Sequence, residues 1–284
     1  MEAGKMKNLI RDEIKKYVLE SKDNWFEEID DHYYDEPIIK FASADDPLFE
    51  EYKKIIGNDH LTPGEAFELA FGKDRYQGGT VISVVLPINE KIRKSNRTQT
   101  RHGSKEWALT RTFGDEIFVA EFVKYLENLL NEMGHRTLSP SHSEWFKIGI
   151  PSNWSERHIA YVAGLGTFSI NDGFITEKGI TVKLISVVTE LKLTPDIREA
   201  KNHTENCLLC SEGSCGACIK RCPVNAISKE GHDQIKCYEH VYGDESRKLA
   251  ESYGGAPKAG SGCGLCQTGV PCEDRNPIRH RGAQ

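Results

Sequence analysis

The nine cysteines of this chain lie in one short region, and this constrains the fold more than any other feature. None precedes residue 207 in a sequence of 284 residues; they are Cys207, Cys210, Cys215, Cys218, Cys222, Cys237, Cys263, Cys266 and Cys272. Cysteines scattered at random would fall mostly in the first 200 residues. Such crowding, in a chain without an evident export signal, indicates metal ligation rather than a disulfide framework.

The composition excludes several classes of protein. Hydrophobic residues make up 38% of the chain, charged residues 28%, and the mean hydropathy is −0.52, which argues against a membrane-embedded or a wholly disordered protein. The net charge is −6, from 37 basic and 43 acidic residues, and this argues against a protein whose main function is to bind nucleic acid. No secretory signal is evident, which predicts a cytoplasmic protein with no membrane partner.

Hydrophobic periodicity predicts a mixture of helices and strands in the first 200 residues. The predicted helices are 7–20, 49–56, 64–71, 114–133 and one that begins near Asn153 with Glu156 as its capping-box partner. The predicted strands are 80–87 and 180–191. The basic stretch 91–112 is interpreted as a solvated loop, with a nucleic-acid-binding face as the alternative. A polar segment at 195–206 predicts a boundary between domains 1–200 and 201–284.

The spacing of the cysteines is typical of iron–sulfur proteins. Cys215, Cys218 and Cys222-Pro223 have the C-x2-C-x3-C-P spacing of bacterial ferredoxins, and later cysteines complete a second set. Eight ligands would hold two 4Fe–4S clusters. Interleaving predicts that one cluster binds Cys222, Cys237, Cys263 and Cys266, and that the other binds Cys215, Cys218, Cys272 and either Cys207 or Cys210. A pair of zinc sites is the alternative, since zinc also uses C-x2-C.

Two motifs carry a resemblance to a known family. The run from Cys215 to Ile227 and the closing cysteines resemble the iron–sulfur domain of epoxyqueuosine reductases and reductive dehalogenases. The segment 156–166 is similar to the Glu-Arg…Ala-Gly-Leu-Gly stretch of the same enzymes. The chain most resembles short epoxyqueuosine-reductase-like proteins of anaerobes. In that pattern the place of Cys207 is a cluster ligand and the place of Cys210 is not, which makes Cys210 the spare cysteine.

The resemblance implies an α+β protein with a nitroreductase-like α/β cofactor domain, residues 1–200, followed by a bacterial ferredoxin-like two-cluster domain, residues 201–284. It implies two 4Fe–4S clusters and a cobalamin held above the proximal cluster, with FMN as the next candidate cofactor. The candidate catalytic residues are Glu156, His158 and Tyr161. The candidate cofactor-binding residues are Arg157, Gly164, Leu165 and Gly166, where glycine would let the backbone approach a flat ligand.

The resemblance also implies an activity, namely reductive removal of a leaving group. We expect a small-molecule substrate and reduced ferredoxin or flavodoxin as the electron donor. The stretch that matches the segment carrying the family's catalytic aspartate, residues 148–154, has no acidic residue, and with the negative net charge this argues against epoxyqueuosine in tRNA as the substrate. The alternatives are a ferredoxin-type electron carrier with a partner-docking domain and tRNA epoxyqueuosine reduction. The sequence leaves the oligomeric state open.

Overall fold

A computed structural model describes residues 3–279, which contain both helices and antiparallel strands. The helices are α1 (Ala3–Glu20), α2 (Leu48–Ile55), α3 (Pro63–Phe71), α4 (Glu90–Arg97), α5 (Lys105–Leu109), α6 (Val119–Glu132), α7 (Glu156–Val162), α8 (Leu208–Glu212), α9 (Ala217–Arg221), α10 (Gln234–Tyr242) and α11 (Asp244–Ser252). The strands are β1 (Trp25–Phe26), β2 (Asp31–His32), β3 (Ile38–Ser43), β4 (Thr80–Pro87), β5 (Thr137–Leu138), β6 (Gly166–Phe168), β7 (Phe174–Thr176) and β8 (Val182–Thr189). Short 3-10 helices lie at Lys22–Asn24, Glu27–Ile29, Pro140–His142 and Pro257–Ala259.

A four-stranded antiparallel sheet, in the order β3–β4–β8–β5, lies at the centre of the molecule. Every residue of β4 is buried, because β3 and β8 pair with its two edges and helices cover both of its faces. Ile82 and Val84 pack with side chains of α1 and α6 on one face. Val81 and Val85 pack with side chains of α2, α3 and α7 on the other. The continuous apolar run therefore reflects burial on both faces rather than on one.

Most of the predicted elements are confirmed, with shifts of a few residues at their ends. The strand predicted at 80–87 is β4, and the strand predicted at 180–191 is β8. The helix predicted at 114–133 is α6, preceded by a π-helical segment, Thr110–Phe118, and Gly134 follows it with φ +87°. A left-handed glycine just beyond a helix satisfies the last carbonyl groups without strain from a Cβ atom.

The prediction of a solvated loop at 91–112 is wrong. This stretch contains most of α4 and all of α5, and several of its basic side chains bind acidic partners far along the chain. Arg97 Nη2 lies 2.7 Å from Glu273 Oε1, and Arg93 Nη1 lies 3.4 Å from the same atom. Arg101 Nη2 lies 2.7 Å from Glu245 Oε2. The stretch looked solvated because its acidic partners come from the last part of the sequence.

The cysteine-rich segment packs directly on the domain that contains the sheet. The Ile180 amide donates to the Cys272 carbonyl at 2.8 Å, and the Asn96 side chain donates to the Cys263 carbonyl at 3.1 Å. Ile175 and Ile180 also share an apolar cluster with cysteines of the later segment. The boundary at residue 200 stays a prediction, because the two segments share a core. Residues 1–2 and 280–284 of the predicted domains lie outside the described residues.

None of the helices between residues 3 and 279 combines the length and the apolar composition needed to cross a membrane.

Asp196 ties the first helix to the edge of the sheet. Its carboxylate accepts from Lys7 Nζ at 2.6 Å, from Arg11 Nη2 at 3.0 Å and from the Phe41 amide of β3 at 2.9 Å. The backbone amide of Asp196 returns a bond to the Phe41 carbonyl at 2.7 Å. Burial opposes ionisation, but these donors outweigh it and hold the pKa of Asp196 below its ordinary value. One carboxylate therefore joins the N-terminal helix, a strand and the segment after β8.

We predict that Asp196→Ala lowers the free energy of unfolding by about 2 kcal/mol, because hydrogen bonds to a charged group are lost and two cations are left unpaired. Urea unfolding followed by circular dichroism measures the change. Asp12→Ala, which removes an exposed carboxylate from the same helix, serves as the control and should change stability by less than about 0.5 kcal/mol. Equal effects of the two substitutions would contradict the role given to Asp196.

Candidate functional site

Helix ends and loops, rather than long elements, position the cysteines. Cys207 precedes the first residue of α8, Cys218 lies within α9, and Cys222 follows its last residue. Cys237 lies on α10. The last three cysteines follow α11 in irregular chain, and they are Cys263, Cys266 and Cys272. Gly216, with φ +147°, lets the chain turn into α9 directly after Cys215. All nine cysteines are unpaired thiols.

The charges of neighbouring thiols interact in two groups, one around Cys218 and Cys272 and one around Cys263 and Cys266. The assignment of these ligands to two clusters stays a prediction. Cys272 and Cys218 interact with Cys207 and Cys215. Cys263 interacts with Cys222 and Cys237, and Cys266 interacts with all three. Cys210, the predicted spare cysteine, also interacts with Cys207 and Cys218. The two groups are adjacent, since Cys266 also interacts with Cys218.

Burial makes these thiols hard to ionise unless a cation is present. Desolvation, and then the neighbouring cysteines, raises the pKa of Cys263 and of Cys218 to about 11. The same causes raise the pKa of Cys266 and of Cys272 well above the ordinary value. Thiolates are the form that binds metal, so a buried set of this kind fits a cationic cluster that would stabilise them. Within residues 3–279, no three His, Cys, Asp or Glu side chains converge closely enough to hold a single metal ion.

Cys207 and Cys210 differ in their surroundings. Cys207 is 5% exposed, whereas Cys210 is exposed. Burial would raise the pKa of Cys207, but it is lowered because the Cys210 and Ile170 amides and the Ser169 hydroxyl donate to the sulfur. Burial and the charge of Cys207 raise the pKa of Cys210 to about 12. Amide donors around sulfur are typical of cluster ligands, and this supports Cys207 as the ligand.

Glu156, the first residue of α7, has a buried carboxyl group against the central sheet. Its Oε1 accepts from Ser141 Oγ at 2.7 Å, whereas Oε2 is buried without a hydrogen-bond partner. Burial raises the pKa of Glu156 to about 7, although hydroxyl donors from Ser186 and Ser141 oppose the shift. Trp154 Nε1 donates to Ser186 Oγ at 3.2 Å and forms another wall of this site. A carboxyl group with this pKa can hold or release a proton near neutral pH.

The expected capping box of α7 does not form. The Asn153 side chain instead accepts from the Lys147 amide at 2.9 Å and donates to the Trp145 carbonyl at 3.1 Å. Ser155 precedes the helix and makes no side-chain cap bond. The prediction was wrong because Asn153 lies two residues too early and stabilises the preceding loop.

His158 and Tyr161 lie one helical turn apart on α7, on a different side from Glu156. His158 Nδ1 lies 2.8 Å from Ser155 Oγ, and Phe168 packs against the rings of both His158 and Tyr161. Burial, and then the nearby cations, lowers the pKa of His158 to about 4, so the ring is neutral at pH 7. The structure thus brings two of the candidate catalytic residues together and separates the third.

The glycines predicted to approach a cofactor are packed against the chain itself. At Gly164, with φ +75°, a Cβ atom would lie 2.9 Å from the Ile197 carbonyl oxygen. At Gly166 a Cβ atom would lie 2.2 Å from the Ile175 carbonyl oxygen in the pairing of β6 with β7. Leu165 is buried. The reason given for these glycines was therefore wrong, since internal packing already requires them; contact with a cofactor stays a prediction.

Sequence reasoning missed several polar residues of the site. Ser83 and Ser186 face each other across β4 and β8, and the Ser83 hydroxyl is buried without a partner. His60 stacks on Trp154, and both of its ring nitrogens are buried without partners. Because side chains alternate between the two faces of a strand, the sequence could have predicted which neighbours share a face with each serine. No sequence signal joins them to Glu156.

No protein-family profile and no curated protein sequence matches this chain. Solved structures do match. An epoxyqueuosine reductase from Bacillus subtilis superposes with a TM-score of 0.55 at 19% identity, over 96% of this chain and 66% of the reductase. An epoxyqueuosine reductase solved with an epoxyqueuosine-modified tRNA stem loop gives 0.56, with the same identity and coverage. A catabolic reductive dehalogenase gives 0.54 at 16% identity, over 86% of this chain and 31% of the dehalogenase.

The chain has the fold of epoxyqueuosine reductases and reductive dehalogenases. The resemblance carried by the two sequence motifs is confirmed at the level of the fold, as is the mixture of helices and small sheets. Both kinds of neighbour are reductases. A further dehalogenase structure, with a TM-score of 0.53, concerns B12-dependent dehalogenation. In the B. subtilis reductase a catalytic loop bearing an aspartate is swung out of the active site.

We predict that Glu156→Gln stabilises the protein more as the pH rises. The folded-state pKa is about 7 against an ordinary 4.5, so the contribution of Glu156 to stability is full below about pH 4.5 and is lost as the pH rises through 7. Glutamine mimics the protonated form and escapes this loss. The advantage should reach about 3 kcal/mol near pH 8. Thermal and urea unfolding between pH 5 and 8 measure it.

Glu144→Gln, an exposed change in the preceding loop, is the control and should show no such trend. A Glu156→Gln advantage that stays constant with pH would mean that Glu156 does not change its protonation in this range.

Proposed function

We propose that this chain is an iron–sulfur oxidoreductase that reductively removes a leaving group from a small molecule. The observation that carries the proposal is the two groups of buried cysteines. They pack against Ile175 and Ile180, which follow α7 in the chain, and the fold is shared with reductases. The first 200 residues would be the nitroreductase-like cofactor and substrate domain. The remainder would be the ferredoxin-like domain with two 4Fe–4S clusters.

The reaction needs two electrons and one proton, which convert R–X into R–H and release X as its anion. Two clusters can hold one electron each and would receive them from reduced ferredoxin or flavodoxin. Glu156 is the proposed proton source, with Oε2 as the atom that gives up the proton, because its pKa of about 7 keeps a large protonated fraction at neutral pH. It would supply the acid that residues 148–154 lack. Tyr161 is the second candidate donor, and Phe168 contacts both its ring and the neutral ring of His158.

A small molecule is the substrate class that the charges favour. A structural neighbour has been solved with a tRNA stem loop, but the basic stretch of this chain that could bind phosphates is largely neutralised within the protein. Glu273 binds two of its arginines, and Glu245 binds Arg101.

Cobalamin is the cofactor that we propose beside the clusters, and when bound it would supply a reducible cobalt centre. Support comes from the fold and from the B12-dependent chemistry of a neighbour. The glycines at 164 and 166 add no support, because the chain's own backbone fills the space beside them. Arg157 is the exposed candidate contact, and FMN is the alternative cofactor.

We predict that the anaerobically reconstituted chain contains about eight iron and about eight labile sulfide ions, as two 4Fe–4S clusters require. Cys207→Ser should lose about half of both, because its sulfur receives the amide donors described above. Cys210→Ser is the matched control and should retain the full content. Two zinc ions without labile sulfide would refute the proposal, and loss in the Cys210 variant alone would invert the assignment.

We predict that cobalamin added to the reconstituted protein changes its visible bands on binding. Arg157→Ala should weaken this binding severalfold, because it removes the exposed cation at the candidate site. Lys54→Ala, which removes an exposed cation from α2, should leave binding unchanged. If high micromolar cobalamin produces no spectral change while both clusters are intact, the chain is better described as an electron carrier that docks a partner.

A further inference from the structure

A chain of hydroxyl groups connects the buried carboxyl group of Glu156 with an exposed histidine. Ser141 Oγ donates to Glu156 Oε1 at 2.7 Å, and the same hydroxyl oxygen lies 3.3 Å from His142 Nδ1. Ser139 Oγ lies 3.1 Å from this ring nitrogen and 3.4 Å from Ser141 Oγ. Ser139 is buried, whereas His142 is exposed. The chain therefore leads from the interior of the protein to solvent.

The hydrogen atoms of the two serines determine the state of the histidine ring. Ser139 Oγ donates to the Ser186 carbonyl at 3.0 Å, so its hydrogen is used in that bond. The Ser141 hydrogen is used in the bond to Glu156. Both hydroxyl oxygens can then only accept at His142 Nδ1, which must carry the hydrogen of the ring. Every donor in the chain therefore points toward the carboxyl group, the ring toward Ser141 and Ser141 toward Glu156.

The backbone around this chain is fixed against neighbouring elements. The short helix Pro140–His142 begins directly after Ser139. The Ser139 amide donates to Glu127 Oε1 of α6 at 2.6 Å, and Ser143 Oγ donates to the Ser139 carbonyl at 3.0 Å. Together with the bond from Ser139 Oγ to β8, these contacts hold the short helix beside the first turn of α7. The separation between Ser141 and Glu156 is therefore set by the fold.

One cation acts on both ends of the chain. Desolvation, and then the charge of Lys183, lowers the pKa of His142 to about 4, although the residue is exposed, so the ring is neutral at pH 7. At Glu156 desolvation raises the pKa, and Lys183 opposes that shift. The Lys183 ammonium lies 3.3 Å from Asp115 Oδ2, and the Tyr34 hydroxyl donates to the same carboxylate at 2.6 Å. A ring that stays neutral can release its Nδ1 proton only as Nε2 takes up another.

We propose that Ser141 and His142 form the route by which Glu156 recovers a proton from solvent. The inference rests on the proposed function, in which Glu156 is the proton source. Water gives a proton to Nε2 of His142, the ring gives its Nδ1 proton to Ser141 Oγ, and Ser141 gives its own to Glu156 Oε1. The products are a protonated carboxyl group, a neutral ring with its hydrogen on Nε2, and a hydroxide ion in solvent.

The two oxygens of Glu156 have different roles in this route. Oε1 receives the proton from Ser141, whereas Oε2 is buried and has no hydrogen-bond partner among the described residues. The terminal torsion of a glutamate side chain has a broad energy minimum, so rotation of the carboxyl group can exchange its oxygens. The proton would thus enter on one side of the group and leave on the other. Exchange with water returns the exposed ring of His142 to its first state.

The test follows the protonation of Glu156 after a laser-released pulse of protons in the full-length reconstituted protein. The infrared band of the protonated carboxyl group reports it, and its absence from Glu156→Gln assigns the band. His142→Ala should slow the rise of this band by about a hundredfold, the lower end of what a positioned proton-transfer group contributes. The equilibrium pKa of Glu156 should not change, because the neutral ring adds no charge.

Added imidazole distinguishes a relay from a structural effect. It should restore the rate in His142→Ala, because it can take the place of the lost ring. It should not restore the rate in Ser141→Ala, which lacks the last link to the carboxyl group. That variant should also raise the pKa of Glu156, since a donor to its charged form is lost. His203→Ala, which removes another exposed histidine, is the matched control and should leave the rate unchanged.

Three results would overturn the inference. They are an unchanged rate in His142→Ala, a slow rate in that variant which imidazole does not restore, and a wild-type protein without the Glu156 band near neutral pH. A chain that refills Glu156 along this route but reduces no substrate would refute the proposed function alone. The two failures are distinguishable because the band is measured without turnover.

Discussion

The buried carboxylate of Glu273 links the cysteine-rich segment to helix α4. It is 3% exposed, and its oxygens accept from Arg97 Nε at 2.8 Å and from the Gly269 amide at 2.6 Å, with Arg93 3.4 Å away. Its backbone carbonyl accepts from the Thr181 hydroxyl at 2.6 Å, directly before β8. Removing Glu273 would take a charge partner from the buried Arg93 and from the partly exposed Arg97. Because Cys272 is its neighbour in sequence, this interaction also fixes one cysteine group against the sheet.

The sheet in turn determines where polar groups can be buried. Ser83 and Ser186 face each other at the middle of β4 and β8, among apolar neighbours that α2, α3 and α7 cover. The Ser186 and Ser141 hydroxyls favour the charged form of Glu156, but they do not cancel the cost of desolvation, which raises its pKa to about 7. The raised pKa of Glu156 thus follows from its burial against the sheet.

The sequence predicted those features that depend on local pattern. The β-branched run at 80–87 predicted β4, because a short apolar run of this kind is typical of a buried strand. The division of the cysteines between two clusters stays a prediction. Features that depend on distant partners were missed. The helices around Arg93 and Arg97 are stabilised by Glu273, about 175 residues later in the chain, so the stretch looked like a loop. Gly166 was correctly predicted to lie where another group comes close to the backbone, but that group is the chain's own backbone and not a cofactor.

Helix α7 places two chemical functions on neighbouring residues. Successive side chains on a helix point about 100° apart, so Glu156 can face the sheet while Arg157 faces the loop between β6 and β7, which contacts Cys207 and Cys266. A displacement of this helix along its axis would therefore change the hydrogen bond to Ser141 and the bond to the Asp172 carbonyl together. The helix is short, but Ile159 and Ala160 pack in the apolar layer over the sheet and resist such a displacement. The same packing thus holds both the Glu156 carboxyl group and the Arg157 contact in place.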